Sequence, residues 1–324
     1  MRKNSQTLTT QSIPTLIKQL AIPASIGMFF NTMYNVVDTF YAGLISTQAI
    51  SALTLSFMIF FLIIGFGYGF SSAITALLGN ALGKKRYKLA SIYAHKGLIF
   101  VPLIGLTLSI IGYFFAPSLF MFLGAKDEYL QISLDYINPI LFGAIFFMFN
   151  FSLNSILIAT GDTKTYRNSL IFGFFANLAL NPLFMYGFLF VPAMGIKGIA
   201  FATVLIQIIN MFYLFYKVLQ TKLIHFDKLE YFIPNLRIYK LFFTHGIPSS
   251  LNMLTMAIGS LILTYFVSHY GIQAVAGYGI GYRVEQLMLL PALGLSTAVL
   301  ALVSNNFGAK KYDRVIETLK VSLK

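Results

Sequence analysis

An all-α polytopic membrane protein is the fold class that this sequence predicts, built from parallel six-helix repeats of which the second is incomplete. Three observations predict it. Hydrophobic residues make up 57% of the 324 and charged residues only 10%, with a mean hydropathy of +0.77, whereas a soluble domain carries roughly 25% charged residues. The apolar segments run for about 20 residues or more, the length that crosses a bilayer as a helix, where barrel strands would alternate over about ten. Finally, residues 22–90 align without a gap on residues 247–315 at a period of 225, with 17 identities in 69 positions. A gapless match across two spans is hard to produce from shared hydrophobicity alone.

The polar tail before residue 21 carries Arg2, Lys3, Pro14 and Lys18 and has no small-residue cleavage site, so no cleavable leader is expected. The first span is expected at 21–42. From Leu20 to Leu44 its only formally charged residue is Asp38. An ionised acid in hydrocarbon is costly, and such residues pair, titrate or line a polar cavity. Asn31, Tyr34 and Asn35 precede Asp38 by seven, four and three residues and share its helical face. Such a carboxylate can take a proton or Na⁺ in one conformation and release it in another; the alternative is a static Asp hydrogen-bonded for helix packing. Pro23, nearer the start of the span, can bend it or free a carbonyl.

The second span is expected at 49–79, the third at 94–121 and the fourth at 130–159. Glycines cluster as GFGYG at 65–69 and again as GYGIG at 277–281. Neither cluster follows a strand, so both read as close helix packing rather than nucleotide loops. The fifth span, 168–190, holds FFANLALNPLF, in which Asn177 and Asn181 are four apart and face one way. The sixth, 195–217, repeats that spacing with Thr203 and Gln207. Amide and hydroxyl oxygens suit Na⁺ and also hydrogen-bond an acid; interhelical glue is the competing reading.

A charged linker follows at 218–242, either a solvated loop or an amphipathic segment on the membrane surface. The seventh and eighth spans are expected at 243–267 and 275–303. In the second copy Leu263 replaces Asp38, and Glu285 stands where the first copy has Phe60. Arg283 and Glu285 are therefore peculiar to that copy, with Tyr278 and Tyr282. Glu285 would balance a cationic substrate in the cavity, or the two charges serve separate structural pairs, because residues two apart do not face each other on a helix.

The divisions are thus a six-helix lobe at 1–217, a cytoplasmic linker at 218–242, and the first two helices of a second lobe at 243–324. Six helices is an even number, so both copies enter from the same side and are parallel repeats. Two full copies predict about 450 residues, which makes the chain read as a truncated one after about eight of twelve helices. With the N-terminus in the cytoplasm, 20 of the 23 Lys and Arg fall on inside segments and two, Lys126 and Lys197, outside. That asymmetry orients the chain in the inner membrane. It also answers the net charge of +13, which faces anionic lipid rather than nucleic acid.

Cysteine is absent, which excludes disulfides and thiolate metal sites. The four His (95, 225, 245, 269) have no ligand spacing, and His245 is expected at a helix start. No nucleophile–base set and no Walker loop is present, so neither an enzyme nor a cofactor is expected.

In its order of motifs the chain resembles the multidrug and toxic compound extrusion (MATE) family, in its bacterial DinF-like branch. The likeness rests on IPAS…NVVDTFYAG, GFSSAITALLGNALGKKRY, ATGDTKTYRN at 159–168, NLALNPLFMYG at 177–187, GIKGIAFAT at 195–203 and YRVEQL…PALGLSTAVLALVSNNFGAKK. It implies a MATE-like two-lobe architecture around a central cavity. The implied function is a secondary active antiporter that exports cationic or amphipathic drugs in exchange for H⁺ or Na⁺ by alternating access.

The resemblance further implies that Asp38 is the coupling acid, with Asn177 and Thr203 in its site and Pro23 as the hinge. Asn181 stands where some members carry a second Asp. If the ion is Na⁺, Asp38, Asn177 and Thr203 would be its ligands, while Asn31, Tyr34, Asn35, Gln207 and Glu285 line the substrate cavity. Asn252 stands where the sodium-coupled branch has a Glu of its second-lobe cation site, a departure that puts the weight on Asp38. A monomer in the bilayer is expected. The competing functions are a flippase for lipid-linked saccharides, which would favour a basic cavity, and a non-transporting truncated scaffold.

Overall fold

Backbone groups inside a bilayer find no water, so each apolar run satisfies its own N–H and C=O groups by staying helical from end to end. The computed structural model describes residues 7–188, 190–227 and 229–323. Its long helices are α1 (Ile13–Ile45), α2 (Thr47–Gly83), α3 (Tyr87–Phe122), α4 (Asp127–Ala159), α5 (Lys164–Tyr186), α6 (Ile196–Leu219), α7 (Leu236–Ser268) and α8 (Ile272–Gly308). A short α9 (Tyr312–Ser322) follows. Among the described residues, eight helices are long and apolar enough to cross a membrane.

Most helices overrun the spans read from hydropathy, because apolarity marks the part inside the bilayer while the hydrogen-bond ladder continues into water. The start of α1 moves back to Ile13, where Ser12 is the N-cap and Pro14 occupies the first turn. Helix α5 stops at Tyr186, short of the expected 190, as Gly187 turns out with φ 76°. Ser46 caps α2 by accepting from Ala49 N–H at 3.0 Å, and Asn235 caps α7 by accepting from Ile238 N–H at 3.1 Å. Asp162 ahead of α5 accepts from Thr165 N–H at 3.0 Å and from its hydroxyl at 2.6 Å. The GDTKT motif is thus a helix start.

The segment expected as linker, 218–242, is helical at both ends, which leaves 220–235 as the connection. Among the described residues of this connection the regular part is a 3₁₀ turn at Leu229–Tyr231 rather than a surface helix. Helix α3 holds it. Ser91 Oγ donates to Leu223 O at 2.6 Å, His95 Nε2 accepts from His225 N–H at 3.0 Å, and the Lys96 ammonium donates to the Ile233 carbonyl. Since Nε2 accepts, the His95 ring proton lies on Nδ1, 2.8 Å from Ser91 O.

The repeat is visible in the backbone. Lys85 and Lys310, one period apart, both take left-handed φ, 58° and 59°. The residues after them, Arg86 and Lys311, adopt φ, ψ of −86°, 67° and −92°, 67° before the next helix. Residues with a Cβ rarely adopt that first conformation, so its recurrence marks a duplicated turn.

Helix α2 is the central element, with α4, α7 and α8 packed on it. Helices α7 and α8 pack chiefly on α2 and α1 rather than on each other. Glycines permit the approach. A Cβ on Gly69 would collide with Ser250 Oγ and lie 2.6 Å from Ser250 N, while one on Gly294, a period later, would collide with Ser25 Oγ and lie 2.7 Å from Ser25 N. Ser25 and Ser250 are themselves a period apart. The contact is therefore two-fold symmetric, first helix of one copy against second helix of the other, as in an isologous interface.

Candidate functional site

Helix α1 turns a polar row inward. Asn35 Nδ2 donates to Asn31 O at 2.9 Å and Thr39 Oγ1 to Asn35 O at 2.8 Å, side chains returning to their own helix. Asp38 projects from that row and is 3% exposed. Helix α5 packs beside α1, where a Cβ added to Gly27 would lie 3.1 Å from the Arg167 Cα. On it, Asn177 and Asn181 are fully buried and both donate to one carboxylate oxygen, each Nδ2 lying 2.8 Å from Asp38 Oδ1. From α6, Thr203 Oγ1 donates to Oδ2 at 3.3 Å. The structure thus brings Asp38, Asn177, Asn181 and Thr203 together from three helices.

The electrostatics of this cluster are unusual for a buried acid. Among the described residues Asp38 has no salt-bridge partner in contact with it, so the hydrogen bonds it accepts come from neutral donors. A hydrogen bond to a charged group contributes about 1.5–3 kcal/mol, and three of them make a buried carboxylate tolerable. The two oxygens differ in what they can do next. Oδ1 is held by two amide N–H groups, which become acceptors only if the amides flip. Oδ2 faces a hydroxyl, which changes from donor to acceptor by rotating. A proton is therefore accommodated on Oδ2 with one torsion. Na⁺, by contrast, needs oxygens, and the Asn177 carbonyl oxygen is taken by Asn181 Nδ2 at 3.2 Å.

Asp38 also forms part of the wall of a cavity of about 360 Å³, within the usual range for small-molecule sites. Asn31, Tyr34, Asn35, Thr203 and Gln207 line it. Asn177 and Asn181 sit behind the carboxylate rather than on the wall. Aromatic rings from α2 and α4, among them Phe57, Phe60, Tyr68 and Tyr136, supply much of the remainder. Pro23 is buried within an unbroken α1.

Glu285 corrects the expectation. It is exposed and not on the cavity wall, while Arg283 is buried and lines it. Positions two apart on a helix diverge by about 200°, so only one of the pair can face inward, and it is the base. Arg283 Nη1 donates to Gly279 O at 2.9 Å, and the guanidinium lies 5.6 Å from the Phe57 ring centroid. Asn252 on α7 is exposed, away from the wall. His245 lies within α7 rather than at its start.

Sequence reasoning missed two further residues. Asn150 and Asn154 on α4 both line the cavity, and Asn150 Nδ2 donates to Gln207 Oε1 at 2.8 Å. Their signal is the same as that of Asn177 and Asn181: two amides four residues apart in an apolar span. That spacing in FMFNFSLN was available to find them.

A family model described as MatE matches residues 23–183 and 248–324. The chain is 29% identical over 333 residues to a probable multidrug resistance protein, YoeA, of Bacillus subtilis, across 100% of this chain and 72% of that protein. It is 25% identical over 323 residues to an FAD transporter of Shewanella oneidensis, covering 99% of this chain and 71% of that one. Among solved structures, the outward-facing conformation of a multidrug resistance MATE family transporter of the MOP superfamily superposes with a TM-score of 0.84. Sequence identity to it is 25%, over 99% of this chain and 71% of that one.

Proposed function

This chain belongs to the MatE family, and from that premise we propose that it acts in secondary active export of amphipathic organic compounds, with Asp38 as the coupling group. The observation that supports this reading most is a buried carboxylate on a cavity wall, hydrogen-bonded by three neutral donors. Ionised, Asp38 gives its part of the wall a negative charge that holds the positive end of a cargo. A proton entering from outside and settling on Oδ2 cancels the charge, turns the Thr203 hydroxyl and weakens the hold. Cargo leaves outward, and the proton is released to the cytoplasm as the cavity reopens inward.

The proton is the coupling ion that demands the least rearrangement, since Na⁺ held by Asp38, Asn177 and Thr203 would require the Asn177 oxygen to leave Asn181 Nδ2 and turn toward the ion. The energy scale is adequate. One charge crossing the membrane gains roughly 2.3 kcal/mol per 100 mV, and each tenfold gradient adds about 1.4 kcal/mol. The multi-pass chain lies in the plasma membrane with its N-terminus in the cytoplasm, in line with the distribution of Lys and Arg.

The test is efflux of a fluorescent amphiphile from membrane vesicles with Asp38→Asn, and with the proton and sodium gradients collapsed separately. Asp38→Asn should reduce gradient-driven efflux to background while insertion stays normal. Efflux that persists in that variant removes Asp38 from the mechanism. Efflux lost only when the sodium gradient collapses replaces the proton with Na⁺.

A further inference from the structure

A second cleft, of about 430 Å³, lies between α4 and α6 and shares no wall residue with the Asp38 cavity. Near its mouth Lys197 Nζ lies 3.2 Å from Asp135 Oδ1. Further along both helices, a Cβ on Gly143 would lie 2.5 Å from Val204 Cγ2. The two helices therefore run parallel and close the cleft floor. At 1.5 Å of rise per residue, Phe142 and Val204 lie about 10 Å deeper in the membrane than Asp135 and Lys197. Asn138 joins the charged pair at the mouth, and below it the wall is apolar. Phe142 is 74% exposed and Phe201 47%. Both belong to helices long and apolar enough to cross a membrane, so their rings meet acyl chains.

The mouth has hydrogen-bonding capacity of both signs to spare. Gln131 Nε2 donates to Asp135 Oδ1 at 2.8 Å, the same oxygen that Lys197 meets. Among the described residues Oδ2 has no partner. Pro139 on the cleft wall has no N–H, so the Asp135 carbonyl lacks the donor that a helix returns to it. Lys197 carries three donors, of which Asp135 takes one. Its side chain is half exposed, and an exposed ion pair contributes little to stability. A ligand with both charges can open the pair and give each member a new partner.

We propose that this cleft is a phospholipid site, and that its occupant has a primary-amine headgroup of the phosphatidylethanolamine class. The phosphate binds Lys197 and the Asn138 amide, the ammonium binds Asp135 Oδ2 and the Asp135 carbonyl, and one acyl chain lies against Phe142, Phe201 and Val204. An anionic headgroup without an amine would meet the Asp135 charge unpaired. A quaternary ammonium has no N–H to give Oδ2. Val204 adjoins Thr203, so the lipid rests on the turn of α6 that reaches Asp38. The site stands on its own residues and does not depend on what the central cavity carries.

The experiment is photolabelling of the purified chain in detergent micelles with a phosphatidylethanolamine that carries a diazirine in one acyl chain. Peptide mass spectrometry should place the label on residues 135–146 and 197–204. Unlabelled phosphatidylethanolamine should halve that labelling at a concentration about tenfold lower than phosphatidylcholine or phosphatidylglycerol of the same chains needs. Tenfold is the scale of one charge-assisted hydrogen bond. Asp135→Asn should make phosphatidylethanolamine and phosphatidylcholine equally effective while the labelled segments stay the same. Label that avoids these segments, equal competition by phosphatidylcholine, stronger competition by phosphatidylglycerol, or a preference that survives Asp135→Asn would each overturn the proposal. So would a dimeric chain with this face unlabelled, since a second copy would then cover it. The competition with the unaltered chain needs no variant, so a misfolded mutant does not obscure it.

Discussion

Thr203 offers Asp38 its weakest hydrogen bond, at 3.3 Å, yet it is the partner whose role can reverse. Thr203→Val removes the hydroxyl and leaves a methyl of similar size, so Oδ2 has nowhere to direct a proton. Proton-driven efflux should fall at least about tenfold in Thr203→Val, while Thr203→Ser keeps most of it. Equal activity of the two variants would exclude the hydroxyl from proton acceptance. Much of this cluster was legible in the sequence, because a lone acid in an apolar span and amides four apart both violate the composition around them. Which of Arg283 and Glu285 faces the cavity was not legible. Helical periodicity says that they diverge, but only the placement of α8 against α2 says which one turns inward.

At the scale of elements, the number of spans followed from hydropathy, whereas their ends did not. The ends depend on caps such as Ser46, Asp162 and Asn235, whose effect is local and unrelated to apolarity. The glycine seams were half legible: the clusters were evident, their partners were not. Gly294→Val should lower stability by about 1–3 kcal/mol, because the added methyls meet the α1 backbone at Ser25. Gly277→Ala on the same helix has nothing within 4 Å of its new Cβ and should be neutral or stabilising by up to about 1 kcal/mol. Thermal unfolding in detergent would separate them; equal melting points would deny the seam its role. The 220–235 connection gives a second prediction. Removing the imidazole in His95→Ala leaves His225 N–H without its acceptor and should speed tryptic cleavage at the exposed Lys222 several-fold. Unchanged cleavage would mean that Ser91 and Lys96 suffice to hold the connection.

For the molecule as a whole, the gapless period was the most informative signal in the sequence, and it anticipated features that composition could not. The twin turns at Lys85 and Lys310 and the reciprocal contacts of Gly69 and Gly294 are its three-dimensional counterpart. The cavity was less accessible to sequence reading, because its wall draws on seven helices from both copies. Asn150 and Asn154 join Gln207 there only through tertiary packing.

Gly69 meets Ser250 as Gly294 meets Ser25, so one patch of surface is pressed against a rotated image of itself. A gene for a single copy would already encode both sides of a dimer seam. Joining two such genes end to end would add a tether and leave the fit as it was. What fusion does permit is divergence: a base can enter one half without entering the other, as Arg283 has done where Met58 stands in its twin.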